Sequence, residues 1–364
     1  MVGKPHLAAY DMILKGVQID RGHVVMSGDS PDKNIAGPSR TGRKFLFGDE
    51  VWVCTSRWGN IYRVGLRRFL HVKPKLGFVG LGNIGEPICR NLLKEGYEVA
   101  VHDTSPEAVA RLSNTGAEPA GSLGELGGVA DVVLLSLPNS PVVEKVVLGE
   151  DGLAEGLSEG KVLIDTSSSK PHSTRTIAER LAISGVEMLD APVSGGVLRA
   201  REGKLAVMVG GRQEIFERYS DILRAFGEHV FYVGDHGTAH LLKALNNLLS
   251  AVTLASTAEA MILAEKAGIS PDTFIEVVNA SNGRSYSTEV KFPRYILPRS
   301  FDDGFTLGLM SKDVKIALET AAEMELPMLV GSTTSQIWQA AVAHGHSAEN
   351  HTAIYTFMED LLGK

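Results

Sequence analysis

Lys243 and Asn247 stand four residues apart in a stretch rich in leucine, from Leu241 to Leu249, so on a helix both project from one face. An amine crowded by leucines is short of water, and its pKa falls toward the range useful for moving a proton at neutral pH. Read alone, the same lysine suits the exposed face of an amphipathic helix, its stem lying along apolar neighbours. A second group of residues gives it a chemical purpose. Gly80-Leu81-Gly82-Asn83-Ile84-Gly85 fits G-x-G-x-x-G directly after the apolar run Leu76 to Val79. The first glycine suits a tight turn, the second a close approach to a pyrophosphate, and the third the packing of helix on strand, with helix N-terminal amides facing the phosphates. Asp103 follows at the spacing of the acid that accepts hydrogen bonds from an adenosine ribose. With Thr104 and Ser105 next and no arginine, that carboxylate would repel a 2′-phosphate, which favours NAD over NADP as the cofactor. The plainer role for Asp103 is a helix cap. A dinucleotide and a mobile proton together make hydride chemistry on an alcohol.

A third segment, Asp190 to Gly196, leaves an apolar run and offers the Ser194 hydroxyl beside the amides of Gly195 and Gly196. Such a loop can hold a carboxylate, although a structural turn has the same composition.

The elements that must position these groups follow from periodicity. From Lys75 onward, short β-branched runs alternate with helical stretches closed by glycine, the pattern of a parallel sheet built from crossover units. Strands are predicted at Leu76 to Gly80, Glu98 to His102, Asp131 to Ser136, Lys161 to Asp165, Val186 to Asp190, Leu205 to Val209 and His229 to Val233. Beyond Gly237 the strand signals stop. A long helix from about Thr238 to Ala267 leads into others, one opened by Ser270-Pro271 as N-cap and first-turn proline. The predicted fold is α/β: a Rossmann-type doubly wound parallel sheet over residues 74–237, followed by an all-α domain over residues 238–364.

Residues 1–73 differ in character. They carry 12 Lys/Arg against 6 Asp/Glu, whereas the whole chain stands at −7. They hold Trp52 and Trp58 and a Gly/Ser/Pro/Asp-rich stretch from Ser27 to Gly42 that reads as loop or disorder. Short strands are predicted within Phe45 to Val53 and Asn60 to Val64, but no domain pattern emerges. Arg57, Arg63, Arg67 and Arg68 among aromatics raise a nucleic-acid contact, against which a simple appendage is the stronger reading. With 364 residues and 44% hydrophobic content the chain can bury a large core. Its unbroken apolar runs fall short of a membrane span, and Asp11 and Lys15 interrupt the only stretch resembling a secretory signal. Cys54 and Cys89 are too few for a disulfide framework or a thiolate metal site, which fits a reducing cytoplasm.

These motifs together resemble the β-hydroxyacid dehydrogenase family, which includes 3-hydroxyisobutyrate dehydrogenase and tartronate semialdehyde reductase. The likeness runs from about Lys75 to the C-terminus. In family order stand the glycine turn with Glu86-Pro87, Leu137-Pro138, Asp165-Thr166-Ser167-Ser168, Asp190 to Gly196, Lys243 to Asn247, and Lys312-Asp313. The resemblance implies that Lys243 is the catalytic acid/base and that Asn247 orients the substrate, while Ser194, Gly195 and Gly196 bind its carboxylate. It implies that Leu137, Pro138 and Ser168 line the nicotinamide side of the cofactor, with Lys312 reaching it from the helical domain. Arg284 lies where the family completes its substrate pocket, so it either pairs with a second anionic group or caps a helix at the surface. His236 and His240 depart from the small residues usual there. Their i, i+4 spacing suggests a metal, but no third ligand is near and Lys243 makes one redundant, so no metal is expected. The implied partner is a small hydroxy acid, with 3-hydroxyisobutyrate, tartronate semialdehyde, 4-hydroxybutyrate and threonate all open, and the implied assembly is a homodimer or homotetramer.

A non-catalytic scaffold that keeps the cofactor fold and binds a partner through its basic N-terminal segment is the competing class, but it would be free to lose Lys243 and Asn247. Imine-reducing relatives carry another residue at the lysine position. The family likeness has no counterpart for residues 1–73, and Val72 can be encoded by a valine codon that serves as a bacterial initiator. Translation beginning at Val72 predicts a native intact mass well below the 39.0 kDa of the full chain; a measured 39.0 kDa overturns that start.

Overall fold

The computed structural model describes residues 73–363 in full and, ahead of them, the backbone of four strands. Those four, Val24–Met26, Lys44–Phe47, Glu50–Cys54 and Ile61–Gly65, pair in sequence order into a sheet, the first pair parallel and the others antiparallel. Met1–Lys73 and Pro74–Lys364 form two separate compact units. The second holds every cofactor- and substrate-site residue named above; Arg57, Arg67 and Arg68, and the side chain of Arg63, lie outside what is described, and with them the nucleic-acid reading.

Its first half is a nine-stranded sheet. Strands β1 (Leu76–Val79), β2 (Val99–His102), β3 (Glu118–Pro119), β4 (Val132–Leu135), β5 (Val162–Asp165) and β6 (Glu187–Asp190) run parallel in the spatial order 3-2-1-4-5-6. That order is the doubly wound arrangement, with a crevice where the winding reverses between β1 and β4. The short β7 (Val193–Ser194) and the longer β8 (Leu205–Gly211) continue the sheet antiparallel beyond β6, and β9 (Gly227–Gly234) pairs with β8 in parallel. All seven strands expected from periodicity are present; the two-residue β3 and β7 are too short to leave a pattern. Strands β1, β4 and β5 are buried at every position, because helices cover both faces. On one side Phe78, Ile88, Leu92 and Leu134 pack together, and on the other Leu135, Val147, Leu163 and Leu181.

The helices that matter for the site are α1 (Gly85–Lys94) after β1, α2 (Pro106–Ser113) after β2 and α5 (Pro171–Ala182) after β5. Beyond β9 the chain is helical. The 29-residue α8 (Thr238–Lys266) forms the axis of the second core, with α10 (Leu307–Glu323), α11 (Leu329–Ala343) and α12 (Ile354–Leu361) around it. Four further helices, α3 (Leu123–Val129), α4 (Ser140–Leu148), α6 (Gly196–Glu202) and α7 (Gln213–Arg224), alternate with the strands along the chain, and α9 (Pro271–Asn279) follows α8 with Ser270 capping it as expected. A π-helix, Ser287–Ile296, comes next, with Pro293 inside it. Nothing in the sequence periodicity announces that winding.

By length and composition α8 is apolar enough to cross a membrane, a property that unbroken runs alone miss because His240 and Lys243 interrupt them. Half of its apolar window is buried inside the protein, where Ala244, Ala251, Ala255 and Ala258 let neighbouring helices approach closely. It is the spine of a helical core.

One carboxylate of the sheet caps the first turn of α8. Asp190, at the end of β6 and fully buried, accepts hydrogen bonds from the backbone N–H groups of Gly237 at 2.9 Å, Ala239 at 3.1 Å and His240 at 3.1 Å. Gly237 has no side chain with which to cap α8, so an acid from the sheet does so. Replacing Asp190 with alanine leaves these donors buried without an acceptor and is expected to cost about 3 kcal/mol, seen as a lowered midpoint in denaturant titration.

Candidate active site

The glycine turn divides its labour between protein and ligand. Gly80 has φ +94, and a Cβ there would sit 2.3 Å from the Ser136 carbonyl oxygen. A Cβ at Gly85 would sit 1.9 Å from the carbonyl oxygen of Gly80. Both must be glycine for strand, turn and α1 to fit together. Gly82 is different: its backbone is outside the left-handed region, and an added Cβ would meet nothing within 4 Å. The protein itself gives no reason for a glycine there. Space kept clear at the mouth of the β1–α1 turn, beside a helix N-terminus with no side-chain cap, is the cradle a pyrophosphate requires.

Asp103 ends this wall. Its Oδ2 accepts from the Leu81 N–H at 2.6 Å and its Oδ1 from the Ser105 N–H at 2.8 Å, so the carboxylate is half-buried and locked beside the turn. The cap of α2 is Ser105, which accepts from the Ala108 N–H. Across the crevice, the loops after β4 and β5 are stitched together. Ser167 Oγ accepts from the Leu137 N–H at 2.9 Å, and Asp165 receives the Ser167 N–H and the Ser169 hydroxyl. From the helical side, Lys312 Nζ donates to the carbonyl oxygens of Ser168 at 2.8 Å and Pro138 at 3.2 Å. Leu137, Pro138, Ser168 and Lys312, expected together from the sequence, thus come together. An ion pair between Lys170 and Glu319 adds a second link between the two halves.

Lys243 lies on α8 little more than one turn past the Asp190 cap. It is half-buried, and among the described residues no hydrogen bond or ion pair ties its ammonium to the protein. Burial lowers its pKa; Asp313 pulls upward and the Lys312 cation pushes further down, leaving it below the ordinary lysine value of 10.5. Asn247, one turn further along the same face, is buried and donates through Nδ2 to Asp313 Oδ2, whose other oxygen lies 3.1 Å from Lys312 Nζ. A chain of contacts therefore runs from Asn247 through Asp313 and Lys312 to the β4 and β5 loops.

Ser194 ends β7, and Gly195 and Gly196 follow as exposed residues at the start of α6. The loop abuts the segment around Asp303 and Gly304: a Cβ at Gly304 would meet Val197 Cγ2 at 3.0 Å. Arg284 lies outside these groupings. Its side chain is 64% exposed, with Nε 3.6 Å from Glu289, so a surface ion pair occupies it.

The two histidines serve structure. His240 is buried; its Nε2 donates to the Ser167 carbonyl at 3.0 Å, and Nδ1 accepts from the Thr174 hydroxyl at 2.7 Å, a tautomer assigned from these partners. His236 Nε2 meets the Met188 carbonyl at 2.9 Å. Among the described residues no group of three or more His, Cys, Asp or Glu is arranged to hold a metal. Sequence reasoning missed the cap on α8 and the role of His240 as a strut between β5, α5 and α8. It also missed buried Lys291 and half-buried Asp303, which lies 3.2 Å from buried His351; no motif marks them.

Residues 75–234 match the family described as the NAD binding domain of 6-phosphogluconate dehydrogenase, and residues 237–358 that described as NAD-binding of NADP-dependent 3-hydroxyisobutyrate dehydrogenase. The 2-(hydroxymethyl)glutarate dehydrogenase of Eubacterium barkeri is 36% identical over 289 residues, covering 79% of this chain and 96% of its own. The 3-hydroxyisobutyrate dehydrogenase of Pseudomonas aeruginosa is 37% identical, covering 72% of this chain and 90% of its own. Among solved structures, the Mycobacterium tuberculosis 3-hydroxyisobutyrate dehydrogenase with L-serine superposes with a TM-score of 0.74 at 29% identity, covering 79% of this chain and 99% of that one.

The glycines give a direct test of the cofactor wall. Gly82→Ala is expected to leave the thermal midpoint of the free protein unchanged while weakening NAD(H) binding about tenfold or more, read by calorimetry. Gly85→Ala is expected to lower the thermal midpoint of the free protein itself.

Proposed function

The chain belongs to the β-hydroxyacid dehydrogenase family, and from that premise we propose that it transfers hydride between NAD and a small 3-hydroxy acid of the 3-hydroxyisobutyrate kind, or its semialdehyde, with Lys243 as general acid/base. The observation that carries this reading is Lys243 itself: an amine of lowered pKa, free of protein partners among the described residues, on one helix face with Asn247. Gly80, Leu81, Gly82, Asn83, Ile84 and Gly85 would hold the dinucleotide phosphates, Asp103 the adenosine ribose, and Leu137, Pro138, Ser168 and Lys312 its other end. Bound there, the cofactor supplies the hydride acceptor or donor. Asp103 supports NAD over NADP, because its carboxylate already faces the Leu81 amide and would repel a 2′-phosphate.

The residues of the chain do the rest. Neutral Lys243 takes the hydroxyl proton as the alcohol is oxidised, and the ammonium returns it in reduction. Asn247 has one amide hydrogen committed to Asp313, which leaves the other for the substrate in a fixed direction. The Ser194 hydroxyl and the amides of Gly195 and Gly196 take the carboxylate. Held in this way, the substrate gains most from orientation and a matched proton acceptor. Exposed Leu263, Leu326, Leu329 and Val330 on the helical half suit a homodimer or homotetramer joined there.

The test is NAD(H) and NADP(H) turnover on a panel of 3-hydroxyisobutyrate, 2-(hydroxymethyl)glutarate, 4-hydroxybutyrate, threonate and tartronate semialdehyde. One acid is expected to turn over with NAD, and Lys243→Ala is expected to lower kcat by about 10²-fold or more with cofactor binding intact. Oxidation needs the neutral amine, so its kcat/KM should rise with pH through an inflection below 10.5, and reduction should fall through the same range. Silence across the panel with cofactor bound overturns the reading.

A further inference from the structure

One buried cation has no part in the mechanism above. Lys291 is 5% exposed within the π-helix. Its Nζ donates to Ser250 Oγ at 2.8 Å, and among the described residues it makes no other hydrogen bond and no ion pair. A buried ammonium is costly without an acceptor of opposite charge, and a single hydroxyl leaves two of its donors unused. Two carboxylates stand nearby, and the charge of Asp303 reaches Lys291, but among the described residues neither forms an ion pair with it. Asp303 accepts from Asn350 Nδ2 at 2.8 Å and the Phe305 N–H at 3.1 Å and lies 3.2 Å from His351 Nδ1; burial works to raise its pKa, but these partners hold it below the usual carboxylate range. Asp313 is taken by Asn247 and Lys312.

Position is the second argument. Lys243, Asn247 and Ser250 follow one another at i, i+4 and i+7 on a single face of α8, so the hydroxyl that holds Lys291 extends the row that carries the proposed acid/base and its companion. Burial, opposed by Asp303 and reinforced by the nearby charge of Lys243, draws Lys291 down to about 8, so the two lysines are close enough to feel one another. One small molecule can therefore meet both. The polar contact between Thr253 and Ser287, at 3.1 Å, fixes the π-helix against α8 one turn further on and holds Lys291 in this row. Arg284, the residue expected from sequence to take a second anion, is exposed and engaged with Glu289; Lys291, seven residues later, has the burial and the spare donors.

Resting on the dehydrogenase reading of this site, we propose that Lys291 is a second cationic anchor of the substrate pocket, and that the preferred substrates are short 3-hydroxy acids bearing a second anionic group remote from the reacting carbon. The Ser194 to Gly196 loop then holds one carboxylate and Lys291 the other.

Calorimetry of the full chain in the presence of NADH, with glutarate and butyrate as probes, tests this without requiring turnover. Native protein is expected to bind glutarate about tenfold or more tightly than butyrate, and Lys291→Gln to bring glutarate down to the butyrate level with butyrate changed less than about twofold. Equal binding of the two probes by native protein, no binding of either, a glutarate preference that survives in Lys291→Gln, or an equal loss of both ligands in that variant overturns the proposal. Lys291→Arg keeps the cation and should keep the preference, which guards against a variant that merely misfolds. A glutarate preference in a chain silent across the hydroxy-acid panel would sink the dehydrogenase reading and leave the anchor standing.

Discussion

The buried carboxylate of Asp190 is the constraint on which the rest of the site depends. It ends a sheet strand and satisfies the free amides at the start of α8, so the direction in which the helix leaves the sheet is fixed by one side chain. Lys243, Asn247 and Ser250 all take their positions from that departure. His240 acts as a strut within the first turn, braced on the Ser167 carbonyl and the Thr174 hydroxyl. A buried negative charge at a helix N-terminus is well placed for both hydrogen bonding and the helix dipole, which makes the joint strong as well as directional.

A second joint closes the far side. Lys312 leaves α10 to donate to carbonyl oxygens on two sheet loops, while its neighbour Asp313 receives the amide of Asn247. The loops that would face a nicotinamide ring and the residue that would orient the substrate are thus coupled through adjacent positions of one helix. Geometry at the reacting centre is set by rigid elements and their side chains, with few loops left to choose their own conformation.

Much of this was legible in the sequence because the relevant signals are local. The strand, glycine turn and acid at Asp103 occupy fewer than 30 consecutive residues, although the atom that demands Gly80 belongs to Ser136, outside that segment. The parallel strands announce themselves by unbroken apolar runs, which burial on both faces demands. Lys243 and Asn247 share a face at a spacing any helix imposes. Asp190 was visible only as part of a loop motif, since the amides it caps lie 47 to 50 residues away and no periodicity links the two. Lys291 left no mark: a lone lysine ahead of Phe292-Pro293 reads as surface, and only a π-helical winding packed on α8 buries it. Arg284 shows the converse. Its type and neighbourhood suited an anion, and a nearby glutamate at the surface claims it.

The three glycines of the turn answer to different masters, and that has a historical reading. Gly80 and Gly85 are demanded by backbone atoms of the protein itself, so any descendant that folds this way must keep them. Gly82 is demanded by nothing in the chain. A descendant that gave up its dinucleotide could mutate position 82 freely while its fold stayed whole. Drift would erase that glycine first and the other two last, which makes position 82 a record of what the lineage bound and positions 80 and 85 a record of how it folds.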